Sequence, residues 1–198
     1  MARSTRESIL TAAAELMRHR GYGAVGMKDI AQASGAPIGS LYHHFRGGKV
    51  QIAREALINA GAAYALLIPS IVDEYTDLGD AMAAAFTQAA EDMAGTGFAN
   101  MCPVASVAAE TADTVPELRE ASATIFQGWV DGGSAYFASR GLDDALAREV
   151  TLALIGALEG AFVLARTLRS TEPLLAAGRA LAPRYRGVAL AAKIAAWQ

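Results

Sequence analysis

Apolar residues along this chain recur at intervals of three and four, the spacing that places them on one face of an α-helix. Ile9, Ala12, Ala13, Leu16 and Met17 predict a first helix over 4–20, opened by a capping box of Ser4 and Glu7 and closed by Gly21. Leu16 and Met17 are expected to close over Ile30 and Leu41, and Tyr22, in the link 21–26, reads as a core plug. Ile52, Ala56, Ala60, Ala63 and Leu67 predict a helix that starts after Gly47 and Gly48 and runs to about residue 68, limited by Pro69. From Asp77 onward the pattern is helical throughout, with no alternating run that makes a convincing strand. Helices are predicted over 77–94, 103–112, 116–139, 143–168 and 172–182, punctuated by Gly95, Gly97, Asp113, Pro116, Gly141 and Pro173. The tail 183–198 adds an apolar run with Trp197.

The stretch 27–45 departs from these long helices. Met27, Ile30, Ala31 and Ser34 share one narrow face, and Lys28, Asp29 and Gln32 share the other, which predicts a short amphipathic helix. Gly35 suits a left-handed helix end, and Pro37 suits the start of the next helix, where a missing N–H is no loss. The second helix, 38–44, is too short to be stable alone. Leu41 and Phe45, at i and i+4, anchor it inward, which leaves Ile38, Gly39, Ser40, Tyr42 and His43 as a surface suited to the DNA major groove.

The run DIAQASGAPIGSLYHHF followed by GGK resembles the DNA-binding domain of TetR/AcrR-type bacterial regulators, closely over 8–57 and at the level of helix layout beyond. Three features depart from the usual pattern. Val25 and Gly26 replace hydroxyl residues, so the helix at Met27 lacks its side-chain cap. Pro37 and Ile38 stand where a Ser or Thr followed by Lys is common, which removes one phosphate-binding cation. Gly47-Gly48-Lys49 replaces a shorter turn and is similar to the LmrA/YxaF-like subgroup. The resemblance implies an all-α protein of about nine helices: a helix-turn-helix domain over 1–48 and a helical effector-binding and dimerisation domain over 49–198.

Charge agrees with that division. The chain of 198 residues has a formal net charge of −3, yet residues 1–50 hold seven Lys or Arg against three acids, and all three histidines. A basic head with an acidic body suits phosphate contact at one end only. Lys28, Tyr42 and Lys49 are the expected phosphate contacts, Lys49 foremost because exposed backbone N–H groups surround it in a helix first turn. Arg3 and Arg6 are within reach of a DNA backbone from the N-terminus. No long uncharged apolar run and no leader-like N-terminus is present, so neither a membrane span nor a signal peptide is expected and a cytoplasmic location is. The lone Cys102 excludes an internal disulfide.

In the body, Phe86, Met93, Met101, Phe126, Trp129 and Phe162 form the candidate effector-binding set, with Phe98 and Tyr136 beside them; plain core packing is the alternative for each. Gln88, Glu91, Ser106, Glu110, Gln127 and Glu159 are the polar groups that orient a ligand if they face inward. The eighth and ninth predicted helices, 143–168 and 172–182, carry more apolar surface than one bundle buries. The resemblance implies a homodimer interface there, with Leu152, Ile155, Leu158, Leu174, Leu175 and Gly178 as candidates. No catalytic constellation stands out: Cys102 precedes a proline, the adjacent histidines lack zinc-ligand spacing, and no phosphate loop or nucleophile elbow occurs. The expectation is therefore a non-enzymatic regulator without cofactor or metal. The resemblance implies that it binds a double-stranded operator as a dimer and is released by a small organic effector. The alternative is a helical small-molecule-binding protein without sequence-specific DNA binding.

Overall fold

A computed structural model describes residues 4–99 and 101–192, so Arg3 and Trp197 lie outside the described residues. Ten α-helices and a closing 3-10 turn are present among them. They are α1 Thr5–Arg20, α2 Met27–Ser34, α3 Ile38–His44, α4 Gly48–Ala65, α5 Leu67–Val72, α6 Leu78–Gly95, α7 Pro103–Thr111, α8 Pro116–Ser139, α9 Asp144–Leu168, α10 Glu172–Leu181 and the turn Ala182–Tyr185. The expected single helix over 49–68 is two, because Pro69 has no N–H to offer the carbonyl of Ala65 and its ring crowds that carbonyl. The ladder opens at Leu66, and Pro69 sits inside the first turn of α5 instead of ending α4.

The chain forms two compact units, Met1–Ala63 with Met101–Phe126, and Tyr64–Asn100 with Gln127–Gln198. In the first, Ile9, Met17, Ile30, Leu41, Phe45, Ile52 and Leu57 are fully buried, and α7 packs on α1. The compact unit thus takes in α7, the start of α8 and most of α4, whose Ile52, Ala53, Ala56 and Leu57 face its interior, and it does not break between residues 48 and 49. Gly61 of α4 lets Ile125 of α8 come close: a Cβ there would lie 2.6 Å from the Ile125 side chain.

The second unit packs α6 against α9 and α10 around Phe86, Met93, Phe137, Leu154 and Leu174. Its C-terminal segment is tied down by polar contacts. Leu78 N–H donates to Val188 O at 2.9 Å, Leu190 N–H to Thr76 O at 2.8 Å, and Gly187 N–H to Asp77 Oδ2 at 2.7 Å. Arg140, with a side chain only 4% exposed, donates to Asp73 at 2.8 Å, Ala191 O at 2.6 Å, Tyr75 O at 3.1 Å and the Tyr136 hydroxyl at 2.9 Å. Tyr136 in turn donates to Asp73 at 2.7 Å, and burial together with that acceptor pushes its phenol pKa up to about 12. Arg140 therefore stitches α8, the 73–75 turn and the tail at 191 with one guanidinium. Arg140→Met is expected to lower unfolding free energy by about 3–5 kcal/mol, since Asp73 loses its cationic partner. Urea denaturation measures the loss, and adding Asp73→Leu is expected to recover part of it.

Candidate nucleic-acid interface

The α2–turn–α3 pair is built from local rules. Gly26 has no side chain to cap α2, and Asp29 compensates by accepting the Gly26 N–H at 2.7 Å. Gly35 takes the left-handed conformation, φ 69°, that ends α2, and the Ser34 hydroxyl accepts from Ala36 N–H at 3.3 Å to close the turn. Pro37 then precedes the seven residues of α3. Leu41 and Phe45 have no exposed surface at all, so α3 is held from beneath by two side chains.

Its outer face carries the residues expected there. Ile38 is 42% exposed and Tyr42 56% exposed, Gly39 and His43 are exposed, and Ser40 is half-buried. Nothing lies within 4 Å of where a Gly39 Cβ would be, so this position is open for close approach of another surface. His44 is also exposed, with its ring edge-on to His43 at 5.2 Å. Lys28 is exposed on α2, and so is Arg46, a cation two residues beyond α3 that was not among the expected contacts. Its position directly after α3 is the signal that could have found it.

Two basic residues are engaged within the unit. Arg6 pairs with Glu55, and its guanidinium lies 5.1 Å from the Phe45 ring centre. Lys49 is half-buried, and its ammonium sits 4.0 Å from the centre of the Tyr22 ring. Burial lowers the Lys49 pKa while the Glu110 and Asp29 charges oppose that shift. Tyr22 is itself half-buried, a platform for Lys49 more than a plug, and burial with the Glu117 and Glu110 charges raises its pKa. Leu16 is only half-buried and lines a groove of about 560 Å³ between α1 and α2, whereas Met17 alone of the expected pair is fully buried.

The candidate effector residues divide between the units. Met101 and Phe126 belong to the first; Phe86, Met93, Trp129 and Phe162 belong to the second. Phe86 and Met93 are fully buried in the core there and Phe162 packs against it, while Trp129 is half-buried with Tyr64 stacked at 6.3 Å. A surface groove of about 410 Å³ borders Phe86, Thr87, Leu175, Gly178, Arg179 and Arg186, and Met93, Trp129 and Phe162 do not line it. Several expected polar groups lie on the surface: Gln88 donates to Asp92 at 3.0 Å, Gln127 to Asp131 at 2.8 Å, and Glu91 is exposed.

The candidate dimer residues also separate. Leu174 is fully buried, and Gly178 admits Phe86 so closely that a Cβ would stand 2.8 Å from it, so both serve the core of their own unit. Leu152 is 48% exposed, and Ile155, Leu158 and Leu175 are half-buried. Periodicity alone did not single out Val163, Leu164 and Leu168, which are 51%, 54% and 64% exposed, or Gly156 and Gly160, where added Cβ atoms would meet nothing. Together with Leu152 they make an apolar and small-residue stripe along α9. Among the described residues no group of three or more His, Cys, Asp or Glu is placed to hold a metal.

Known proteins share this layout. Residues 9–56 match the profile of bacterial regulatory proteins of the tetR family, and residues 79–180 match the C-terminal domain of LmrA/YxaF-like transcriptional regulators. The chain is 35% identical over 174 residues to an uncharacterised HTH-type transcriptional regulator of Mycobacterium tuberculosis (strain H37Rv), covering 85% of this chain and 88% of that protein. It is 32% identical over 171 residues to the HTH-type transcriptional regulator LmrA of Bacillus subtilis, covering 86% and 91%. Among solved structures, a TetR-family regulator of Agrobacterium tumefaciens superposes with a TM-score of 0.77 at 20% identity, covering 92% and 98%. One from Chloroflexus aurantiacus superposes at 0.72 and 27% identity, covering 94% and 97%.

Leu41→Ala is expected to destabilise the protein by about 2–5 kcal/mol, because it empties a fully buried site. Tyr42→Ala, one residue on but exposed, is expected to stay within about 0.5 kcal/mol of wild type. Urea denaturation of both variants separates the anchor from the surface it supports.

Proposed function

The chain belongs to the TetR family of bacterial regulatory proteins, with an LmrA/YxaF-like C-terminal domain, and from that premise we propose that it is a homodimeric, effector-released repressor. It is a DNA-binding transcriptional regulator and not an enzyme. The observation that carries the finer reading is the two-sided α3, with Leu41 and Phe45 fully buried beneath an outer face of Ile38, Gly39, Tyr42 and His43. Those four residues and Ser40 are assigned to the major groove. Lys28, Tyr42 and Lys49 are assigned to phosphates, with Arg46 added; the Lys49 ammonium rests against the Tyr22 ring.

Two heads bound to one pseudo-palindrome, about 34–36 Å apart, gain over one head through effective concentration. The surface proposed for pairing is the α9 stripe of Leu152, Gly156, Gly160, Val163, Leu164 and Leu168, flanked by Ile155, Leu158 and Leu175. By length and composition α9 and the Gly48–Val72 stretch are apolar enough to cross a membrane. In a regulator of this fold, the uncovered face of α9 is better accounted for by a second copy. Functionally, residues 1–48 read DNA and 49–198 pair the protomers and bind the effector, a small apolar organic molecule whose binding set in the second unit includes Phe86, Met93, Trp129 and Phe162. Phe86 and Met93 admit it only if the core around them opens, so effector binding selects a different body conformation, and its differential affinity limits how far operator binding falls. The site of action is the cytoplasm, where operator DNA lies.

Fluorescence anisotropy against duplexes tiling the protein's own upstream region, at two salt concentrations, tests this reading. Wild type is expected to bind one palindromic segment tightly and with strong salt dependence. Lys28→Ala should weaken binding evenly across sequences and reduce the salt slope by about one, whereas Tyr42→Ala should lose most at the operator. Leu164→Glu, which places a charge on the α9 stripe, should give a monomer with much weaker operator binding. Equal weak binding to every duplex by all four proteins would favour a helical ligand-binding protein without sequence reading.

A further inference from the structure

The turn between α1 and α2 is held by a residue far along the chain. Glu110, in the last turn of α7, accepts the Tyr22 N–H on Oε2 at 2.6 Å and the Gly23 N–H on Oε1 at 2.6 Å. Two successive backbone N–H groups facing one carboxylate form a small anion-binding nest, and both bonds are charge-assisted. The flanking glycines make room for it. Gly21 ends α1 with φ 77°, and a Cβ at Gly21 or Gly23 would each lie 2.6 Å from a Glu110 carboxylate oxygen. The Tyr22 ring then carries the Lys49 ammonium, at the start of α4. One carboxylate therefore joins α7 to the point where α1, α2 and α4 meet.

We propose that Glu110 is a positioning residue for DNA recognition, which fixes the setting of α2 and α3 to the position of α7 through the 21–23 turn. The proposal rests on the reading of α3 as the DNA-contacting helix. Gly26, three residues beyond the clamp, opens α2, so a shift of the turn is passed directly to the helix pair. The chain enters α7 through a loop in which Gly97 and Phe98 take φ 60° and 62°, and the Cys102 thiol accepts the Ala105 N–H at 3.4 Å to start the helix. A displacement of α7 by about 1 Å takes both clamp bonds past normal hydrogen-bond length. No DNA contact is assigned to Glu110. It governs whether the reading helix is presented in the right place, and it gives any change in α7 a route to the head.

The test uses the full-length protein, amide hydrogen exchange, and titration of the upstream duplex that wild type binds most tightly. In Glu110→Ala, exchange in the 21–26 segment is expected to rise by about tenfold or more, with wild-type exchange in α9 and α10. Operator affinity should fall by about tenfold with an unchanged salt slope, because no phosphate contact is lost. Glu110→Gln, with one acceptor oxygen, should fall between. Gly23→Ala should reproduce Glu110→Ala by pushing the carboxylate away, and the double variant should lose no more than either single one, as two changes to one contact do. Unchanged exchange in the 21–26 segment overturns the proposal, and so does faster exchange with wild-type operator affinity in Glu110→Ala. If wild type binds no duplex even at low salt, the DNA-binding reading fails and the positioning role with it, while the exchange data still report whether the clamp exists.

Discussion

Leu41 and Phe45 carry α3, and the outer face of that helix follows from how they do so. A seven-residue helix forms too few backbone hydrogen bonds to overcome its own nucleation. Burying one leucine and one phenylalanine supplies about 1.5–3 kcal/mol each, enough to fix the helix against α1 and α2. Because both anchors lie on one side, the same four-residue spacing turns Ile38, Tyr42 and His43 outward. The stability of the head and the composition of its outer face are thus set by one periodicity, and a shift of one residue in α3 would destroy both.

The rest of the first unit holds that small module in place with polar contacts. Asp29 caps α2, Arg6 pairs with Glu55 across α1 and α4, and Glu110 closes on the 21–23 turn. These are interactions with directions and lengths, unlike the apolar core, and they can be made or broken by small displacements. The second unit uses the same device at its C-terminal end, where Arg140 ties α8 to the 73–75 turn and to residue 191. Both arrangements place one charged side chain where several chain segments must be kept in register.

The head is legible in the sequence because its signals are local. Glycine at 21, 35 and 48 takes positive φ at helix boundaries, and Leu41 with Phe45 needs only four residues of context. The longer helices of the body follow within a residue or two for the same reason. What the sequence does not disclose depends on which neighbour covers a face. Leu174 and Gly178 look like surface for a partner until Phe86 is seen filling the space above Gly178. Val163 and Leu164 look like core until both prove more than half exposed. Lys49 has the spacing of a phosphate ligand, and only the fold places an aromatic ring beneath its ammonium. Glu110 has no signal beyond the two glycines that make room for it, the nearer of them, Gly23, eighty-seven residues away. The break at Leu66 is legible in principle, since Pro69 leaves the carbonyl four residues earlier without its donor, but the same proline also reads as a stop.

A pair of these heads, each presenting α3, is proposed to read two related half-sites. Selection of bound duplexes from a random pool by the purified full-length protein, followed by sequencing, tests this most directly, since it requires no choice of operator beforehand. An enriched pseudo-palindrome with half-site centres about ten base pairs apart, or a multiple of one helical turn, is the predicted result. An enriched single half-site without symmetry, or no enrichment at all at low salt, would contradict it.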